Sequence, residues 1–176
     1  MNSVQTNPKP QAGKAFTSKT MFSRETSVSV HIEADASIVW ALLTHASDFS
    51  RWNSTIISIQ GEIKQGETIE LKSTLDETRS FKLKIKEFVP EKRLVWGDAM
   101  GSRVYALDKT SKGVSFTMTE KIGGPLFPLF AKMIPSFDES FDQFAADLKK
   151  KLKQFKARKI KRKISWKREP KRSPGN

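Results

Sequence analysis

The sequence predicts an α+β fold in which one antiparallel sheet of about seven strands packs against a long C-terminal helix. Between residues 55 and 122, apolar and polar side chains alternate in six segments that short turns separate. After residue 136, apolar side chains recur every three or four residues, which is the period of one helix face. The short connections favour antiparallel pairing, because a parallel pair of strands needs a long crossover.

One strand and two short helices precede these six segments. From Thr26 to Glu33, valine and isoleucine alternate with polar residues, which predicts a strand with one buried face. Asp35 is a suitable N-cap for a first helix, in which Ile38 and Leu42 share an apolar face. A second short helix is predicted over residues 47–52.

The six later strands are predicted at 55–63, 67–75, 79–88, 92–99, 102–109 and 113–122. Turn signals such as Gln65-Gly66 and Pro90-Glu91 separate them. The strand at 79–88 has the clearest pattern, because apolar residues such as Leu83 alternate with lysines. One face of the sheet is therefore expected to be apolar and the other solvated.

The long helix has a start signal in the sequence. Ser136 and Glu139 have the spacing of a capping box, which predicts a helix from Phe137 onwards. Its apolar stripe consists of Phe137, Phe141, Phe144, Leu148, Leu152 and Phe155. We expect this stripe to lie across the apolar face of the sheet.

Composition limits the classes of protein that fit. An apolar fraction of 37% in 176 residues is enough for one hydrophobic core. The chain contains no cysteine, which excludes disulfides, thiolate nucleophiles and iron–sulfur ligation. No segment approaches ~18 uninterrupted apolar residues, so no membrane span is predicted. We expect a cytoplasmic location, with peripheral attachment to the inner face of the membrane as the alternative.

Three segments are predicted along the chain. Residues 1–24 are polar and contain prolines, which is typical of a disordered leader, and they have no apolar core of a secretory signal. Residues 25–156 form the folded domain, and residues 157–176 form a basic tail. Residues 149–176 contain 14 Lys and Arg against the single acid Glu169, which accounts for the whole net charge of +13.

The basic segment at 149–172 has three interpretations. It is a solvated helical extension, or it binds an anionic membrane surface with Ile164 and Trp166 at the interface, or it contacts the phosphates of nucleic acid. The sequence alone leaves these alternatives open. Since the rest of the chain is neutral, the tail and the domain need separate explanations.

Five short segments, in this order, resemble the polyketide cyclase/dehydrase and lipid-transport branch of the START-like (SRPBCC) superfamily. They are Val39-Trp40-Ala41-Leu42-Leu43-Thr44, Asp48-Phe49-Ser50-Arg51-Trp52-Asn53, Gly61-Glu62-Ile63 before Gly66, Leu94-Val95-Trp96-Gly97, and Gly123-Gly124. The resemblance covers about residues 25–155. It implies the helix-grip fold, in which a curved sheet wraps around the long helix and an elongated cavity between them holds lipids, quinones, polyketides or hormones.

The resemblance implies ligand binding more directly than a reaction, because many members are not catalytic. We expect binding or transport of a small hydrophobic ligand without catalysis, and predict no catalytic residue. The alternative is a cyclase or dehydratase-like enzyme for a polyketide-type substrate, with Glu120 as acid/base and Arg103 as electrostatic group. A third class is an interaction protein whose own side chains fill the cavity.

The last predicted hairpin, formed by the strands at 102–109 and 113–122, contains charged residues on its apolar face. The predicted pairing places Arg103 opposite Met118 and Tyr105 opposite Phe116, so that Glu120 lies diagonally across from Arg103. Charges on an apolar face must be paired or hydrated. Arg103 and Glu120 therefore form either an internal salt bridge or, together with the Tyr105 hydroxyl and the Trp52 indole N–H, the contacts that orient a ligand.

The predicted ligand-facing residues are Trp52, Leu71, Leu83, Trp96, Arg103, Tyr105, Phe116, Met118, Glu120, Phe137 and Phe141. Their aromatic members also suit a plain core. The sequence has no glycine-rich phosphate loop and no His-Glu-x-x-His motif, and its two histidines are far apart in the predicted topology. We expect no metal and no cofactor.

Overall fold

The computed structural model describes residues 11–168, with side chains as far as residue 160. The strands are β1 Phe16–Lys19, β2 Ser23–Ile32, β3 Ile56–Gln60, β4 Thr68–Ser73, β5 Asp76–Val89, β6 Arg93–Gly97, β7 Gly101–Thr110 and β8 Gly113–Gly123. The helices are α1 Ala36–Thr44, α2 Phe49–Trp52, α3 Phe127–Phe130 and α4 Asp138–Arg168, with short 3₁₀ turns at Ala46–Asp48 and Ala131–Met133.

All eight strands form one open, curved antiparallel sheet in the order β1-β2-β8-β7-β6-β5-β4-β3. The strands from β3 to β8 follow one another in space as in sequence, and β2 then pairs with β8 along ten residues. The long helix α4 packs on the inner face of the sheet, where the apolar residues of the strands lie. The predicted α+β class, with a long C-terminal helix on an antiparallel sheet, is confirmed.

The structure differs from the predicted disordered leader within residues 11–24. Strand β1 pairs with β2, and β2 itself begins at Ser23. The carboxylate of Asp142 in α4 accepts hydrogen bonds from the Ala15 N–H at 2.6 Å and from Lys14 Nζ at 3.0 Å. This segment, residues 13–19, is called the N-terminal strap below. Its polar contacts with the helix explain why composition alone did not indicate order. Residues 1–10 lie outside the described part of the chain.

Helix α4 begins one residue later than predicted. The first helical hydrogen bond joins the N–H of Phe141 to the carbonyl oxygen of Phe137 at 2.9 Å. The Ser136 hydroxyl accepts a hydrogen bond from the Asp138 N–H at 3.4 Å, whereas the Glu139 side chain has no hydrogen bond among the described residues. Ser136 therefore caps the helix through Asp138, without the reciprocal pair of bonds that the predicted capping box requires.

The direction of α4 places its C-terminal half at one end of the sheet. The helix begins beside the start of β2, and Lys156 Nζ forms an ion pair with Glu33 at 2.9 Å, just after β2 ends. Its buried stripe ends at Leu152, because Phe155, predicted to continue it, is 38% exposed. The helix continues without a break to Arg168, about 18 Å beyond Lys156. Residues 169–176 lie outside the described part.

The register of the last hairpin corrects the predicted one by two residues. The prediction paired Arg103 with Met118 and Tyr105 with Phe116, but β7 and β8 pair as far as Thr110 and Gly113 and leave a two-residue turn. The observed pairs are Arg103 with Glu120, Tyr105 with Met118, and Leu107 with Phe116. The two charged residues are therefore directly opposite each other rather than diagonal.

Gly113 is the physical reason for this tight turn. Its φ of +140° is a conformation that side-chain-bearing residues rarely adopt, and a Cβ atom there would lie 2.1 Å from the Ile32 carbonyl oxygen. The glycine lets β8 start directly after the turn while β2 passes close beside it. Alternation of apolar residues on β7 and β8 fits both registers, so the pattern alone could not select the correct one.

The strap contacts generate a stability prediction. We expect Asp142→Ala to lower the free energy of unfolding by about 1–2 kcal/mol, because the partly buried N–H of Ala15 in the strap loses its acceptor. Amide hydrogen exchange at Ala15 should accelerate in the same variant. Glu139→Ala is the matched control, since it removes an acid from the same part of α4 and should change neither quantity. Unchanged exchange at Ala15 in Asp142→Ala would show that the strap is held by other contacts.

Candidate functional site

A cluster of buried aromatic rings lies between α4 and the inner face of the sheet. Phe144 of α4 is its centre: its ring centroid lies 5.5 Å from Trp52, 5.7 Å from Tyr105 and 6.1 Å from Phe116. Trp96 packs against Tyr105 at 4.9 Å. The structure thus brings four predicted ligand-facing residues into one cluster, namely Trp52, Trp96, Tyr105 and Phe116. Phe144, at the centre, was predicted only as part of the apolar stripe of the long helix.

A polar cluster adjoins these rings near the start of α4. Arg103 Nε donates a hydrogen bond to Glu120 Oε2, and the two side chains are only 13% and 18% exposed. The Arg103 guanidinium also lies over the Phe141 ring, 5.2 Å from its centroid. This cation–π contact holds the arginine between an acid and an aromatic face. Arg103, Glu120 and Phe141 are all among the predicted site residues.

Arg24 belongs to the same cluster, although the sequence analysis placed it in the leader. Its guanidinium donates to the carbonyl oxygens of Ile134 at 3.1 Å and Pro135 at 2.7 Å, and lies 5.0 Å from the Phe137 ring centroid. The alternation of β2 extends back to this residue, which shares the inner face with Thr26 and Val28. That extended alternation was the available signal, and the polar composition of the leader obscured it.

Burial and the neighbouring charges together shift the pKa values of both arginines in this cluster. Burial lowers the pKa of Arg103, but the negative charge of Glu120 and the neighbouring Tyr105 outweigh burial and raise it above the ordinary value. Burial lowers the pKa of Arg24, and Asp138 and Glu120 offset part of that effect. The positive charges of Arg24 on β2 and Arg103 on β7 therefore both attract the Glu120 carboxylate.

Three buried polar atoms have no hydrogen bond of regular geometry among the described residues: Trp52 Nε1, Asn53 Nδ2 and the Tyr105 hydroxyl oxygen, although the Arg103 guanidinium lies near enough to that oxygen to interact with it and leaves only the hydroxyl proton unused. Asn53 uses its carbonyl oxygen, which accepts from the N–H of Thr55 at 3.0 Å and from its hydroxyl at 2.6 Å, but its amide nitrogen is unused. Burial raises the pKa of Tyr105 to about 12, against the opposing effect of Arg103. The phenol is thus neutral at physiological pH and is available as a donor.

The remaining predicted residues lie at different depths of the same inner face. Met118 is buried opposite Tyr105, and Phe137 stacks on Phe141 with ring centroids 6.1 Å apart. Leu71 and Leu83 are on β4 and β5, beyond β6 from the hairpin, and Leu83 is only partly buried. These two leucines are therefore not brought to the polar cluster.

Phe144 and Asn53 are the other site residues that the prediction missed. Phe144 lies in the predicted helix stripe, but its central position depends on the side-chain contacts across the fold. Asn53 was visible only as part of the Asp48–Asn53 segment. Burial of its side chain, at 1% exposure, distinguishes it from an ordinary loop asparagine.

Metal-binding groups and membrane-spanning helices are two further features that bear on function. Within its described part, no group of three His, Asp or Glu side chains has an arrangement that could hold a metal ion. No helix over the same residues has the length and apolar character needed to cross a membrane.

Several solved structures are similar in fold. A protein from Nitrosomonas europaea superimposes with a TM-score of 0.62 at 19% identity, covering 79% of this chain and 99% of its own. One from Rhodobacter sphaeroides gives 0.60 at 17% identity, covering 80% and 99%. DynU16, described as a protein in the dynemicin biosynthetic locus, gives 0.57 at 15% identity, covering 73% of this chain and 47% of its own. At these identities the likeness concerns the fold alone.

Sequence comparison gives the family. No curated protein sequence matches the chain. A family model described as polyketide cyclase/dehydrase and lipid transport matches residues 23–153. This range includes β2, the consecutive strands β3 to β8 and the buried part of α4. The match agrees with the resemblance that the sequence motifs indicated. The chain therefore belongs to the polyketide cyclase/dehydrase and lipid transport family.

Proposed function

We propose that this protein binds a small hydrophobic ligand between the sheet and α4, without catalysing a reaction. The observation that supports the proposal is the set of buried donors without described partners, in particular the Tyr105 hydroxyl and the Trp52 indole N–H. Both side chains border the same ring, that of Phe144. A ligand with an apolar body and an oxygen acceptor suits such surroundings.

The energetic argument concerns the cost of these donors. A buried polar group without a hydrogen bond costs about 1–3 kcal/mol. A folded chain retains such groups where another molecule supplies the missing acceptor or where function requires them. Lipids, quinones and polyketides share the necessary chemistry, because each combines a long or flat apolar body with carbonyl, carboxyl or phenolic oxygens. The family description, which names lipid transport, is consistent with this ligand class.

A second candidate function is enzymatic. Arg103, Glu120 and Tyr105 adjoin one another at a partly enclosed position, which favours proton transfer on a polyketide-type substrate with Glu120 as base and Arg103 stabilising an enolate. However, the Glu120 carboxylate already accepts a hydrogen bond from Arg103, and that contact would have to open first. We therefore rank this candidate below noncatalytic binding.

A third candidate follows from the packing itself. The rings around Phe144 contact one another closely, which is also what a protein with a self-filled interior would show. Native mass spectrometry of protein purified from cells, followed by organic extraction, distinguishes the candidates. A bound lipid, quinone or polyketide supports the proposal, whereas protein that stays empty with every ligand class offered supports the third candidate.

Tyr105→Phe separates binding from stability. We expect the free energy of unfolding to stay equal or to rise, because the change removes a buried hydroxyl that lacks a partner. The retained amount of copurified ligand should fall at least several-fold. Leu107→Met, a buried residue two positions along the same strand and outside the ligand-facing set, is the control for altered packing and should retain ligand. A loss of stability in Tyr105→Phe without loss of ligand would contradict the proposed role.

The same residue has an independent spectroscopic check, since it is the only tyrosine in the chain. Its phenolate absorbance should appear with a midpoint of about 12 in the folded protein and about 10 in the unfolded protein. Because the folded pKa is raised, the stability that this group contributes is fully present below pH ~10 and is lost as the pH rises towards 12. A midpoint in the folded protein equal to the unfolded value would show that the hydroxyl is solvated.

The Arg103–Glu120 pair can be tested by replacing both partners. If the pair is only structural, Arg103→Met with Glu120→Leu should leave stability within about 1–2 kcal/mol of wild type and ligand retention unchanged. If the pair orients the ligand, retention should fall although the fold survives. The single variant Arg103→Met should cost about 3 kcal/mol or more, because it leaves the Glu120 carboxylate unpaired.

The pair Arg93–Glu87 provides the control, since its ion pair of 2.9 Å joins side chains that are each 42% exposed. Replacing both of these residues in the same way should affect neither stability nor ligand retention. Equal ligand retention in wild type and in the Arg103/Glu120 double variant would restrict that pair to a structural role.

We further propose that residues 149–172 act as an electrostatic arm for an anionic membrane surface, with nucleic acid as the alternative partner. No acid occurs within this segment before Glu169, and Lys156 is paired with Glu33. Buried apolar contacts of α4 end at Leu152 and the helix continues past the sheet, which supports an arm that is separate from the core.

Truncation after residue 157 tests this arm. We expect the truncated protein to keep its unfolding free energy, and to lose salt-sensitive binding to anionic vesicles or to duplex DNA. Comparison of Trp166→Ala with wild type at equal salt distinguishes the partners, because loss confined to vesicles indicates insertion at a lipid interface. If the full-length protein binds neither vesicles nor duplex DNA near physiological salt, the arm serves only as a solubilising extension.

A further inference from the structure

Six large apolar side chains are exposed at the end of the sheet opposite the basic arm. Their exposed fractions lie between 47% and 82%, well above those of buried core residues. They are called the apolar tips below: Met21, Phe22, Met100, Leu126, Leu129 and Met133. Exposed apolar side chains scattered singly need no explanation, but a group at one end of a molecule indicates an interaction surface.

Hydrogen bonds join the turns that bear these side chains. The N–H of Gly124 donates to the carbonyl oxygen of Phe22, and that of Gly123 to the carbonyl oxygen of Met100, each at 3.0 Å. The β1–β2 turn, the β6–β7 turn and the segment after β8 therefore form one surface. A groove of about 460 Å³ includes Phe22, Met100 and Gly124 in its lining, which places the three turns side by side.

The segment after β8 is held so that its apolar residues point outwards. Phe127 is buried and packs against Phe130, with ring centroids 5.7 Å apart, whereas Leu126 and Leu129 are 66% and 80% exposed. Arg24 anchors the end of this segment through the carbonyl oxygens of Ile134 and Pro135. The exposed leucines thus belong to an anchored turn.

Charges around the apolar tips favour an anionic partner. Lys121 lines the groove, and Lys19 and Lys132 are exposed beside the tips. Asp98, the acid within these turns, accepts hydrogen bonds through Oδ1 from the N–H groups of Met100 and its neighbour Gly101, at 2.8 and 3.0 Å. Its carboxylate is therefore engaged within its own turn.

We propose that the apolar tips dock on an anionic lipid bilayer. The tips enter the boundary between headgroups and acyl chains, while the flanking lysines face lipid phosphates. The side chains come from three separate turns, a spacing that suits a deformable lipid surface. Because Arg24 links Ile134 and Pro135 to the polar cluster beside Phe137, docking brings that end of the candidate site to the membrane.

Vesicle binding by the full-length chain tests the proposal. In Leu129→Asp with Met133→Asp, the part of the affinity for vesicles of phosphatidylcholine and phosphatidylglycerol that persists at high salt, where the basic arm contributes little, should fall by about tenfold or more. The matched control is Ile57→Asp with Val89→Asp, because these apolar residues are 38% and 39% exposed and lie away from the tips. The control has the same change of charge and keeps the basic arm, so its affinity should stay within about twofold of wild type.

The depth to which the tips insert into the bilayer can be measured independently. Because the chain contains no cysteine, one introduced cysteine is a unique site for a fluorescent label. A fluorophore attached through Met133→Cys should be quenched by nitroxide-labelled lipid in the same vesicles, whereas one attached through Val89→Cys should not. Circular dichroism confirms the fold of each variant.

Three results would overturn the proposal. One is equal loss of vesicle affinity in the tip and control variants, and another is equal quenching at both labelled positions. The third is self-association of wild-type protein that the tip variant abolishes while vesicle affinity stays unchanged, which would assign the surface to a second copy of the chain. The outcome is independent of ligand binding, because the substituted side chains lie outside the aromatic cluster.

Discussion

Packing of α4 onto the inner face of the sheet is the constraint on which the other features depend. Phe141, Phe144 and Leu148 are each at most 1% exposed, and they cover the strands that would otherwise present their apolar side to water. Burying side chains of this size contributes about 1.5–3 kcal/mol each, the largest favourable contribution available to a chain without disulfides. The helix also determines where a ligand could lie, because its Phe144 ring contacts aromatic rings from α2, β7 and β8.

The polar groups on this face are costly unless each has a partner. Arg103 and Glu120 satisfy one another, and Arg24 satisfies backbone carbonyls just before α4. Tyr105 and Trp52 differ from these residues, because their polar atoms have no described partner although the rings pack well. The arginines and Glu120 therefore stabilise the fold through contacts within the chain. The polar atoms of Tyr105 and Trp52 are the ones that a bound molecule would satisfy. This difference also explains why we assign ligand orientation first to the neutral donors.

Much of this fold could be predicted from periodicity, and the failures have identifiable physical causes. Alternation of Leu83 and its neighbours indicated a sheet with one apolar face, and the spacing after Ser136 indicated the long helix. Periodicity of two cannot distinguish registers that differ by two residues, so the pairing of Arg103 required knowledge of the tight turn before Gly113. Arg24 was missed because a polar segment can become ordered through contacts with a distant helix. The sequence predicted which residues face the apolar side of the sheet. It could not predict which of these side chains contact one another, because that depends on packing around Phe144.

The two ends of the molecule differ in chemistry, and this difference follows from the direction of α4. The helix starts beside Arg24, near the apolar turns, and passes Glu33 at the other end before its basic residues continue beyond the sheet. A chain whose basic arm lay beside the apolar turns would have one strongly cationic amphipathic surface. Here the apolar and the basic regions are separated by the length of the sheet, so one flat bilayer is not expected to engage both closely. Docking through the apolar tips would leave the basic arm directed away from that bilayer, where it is accessible to a second anionic partner.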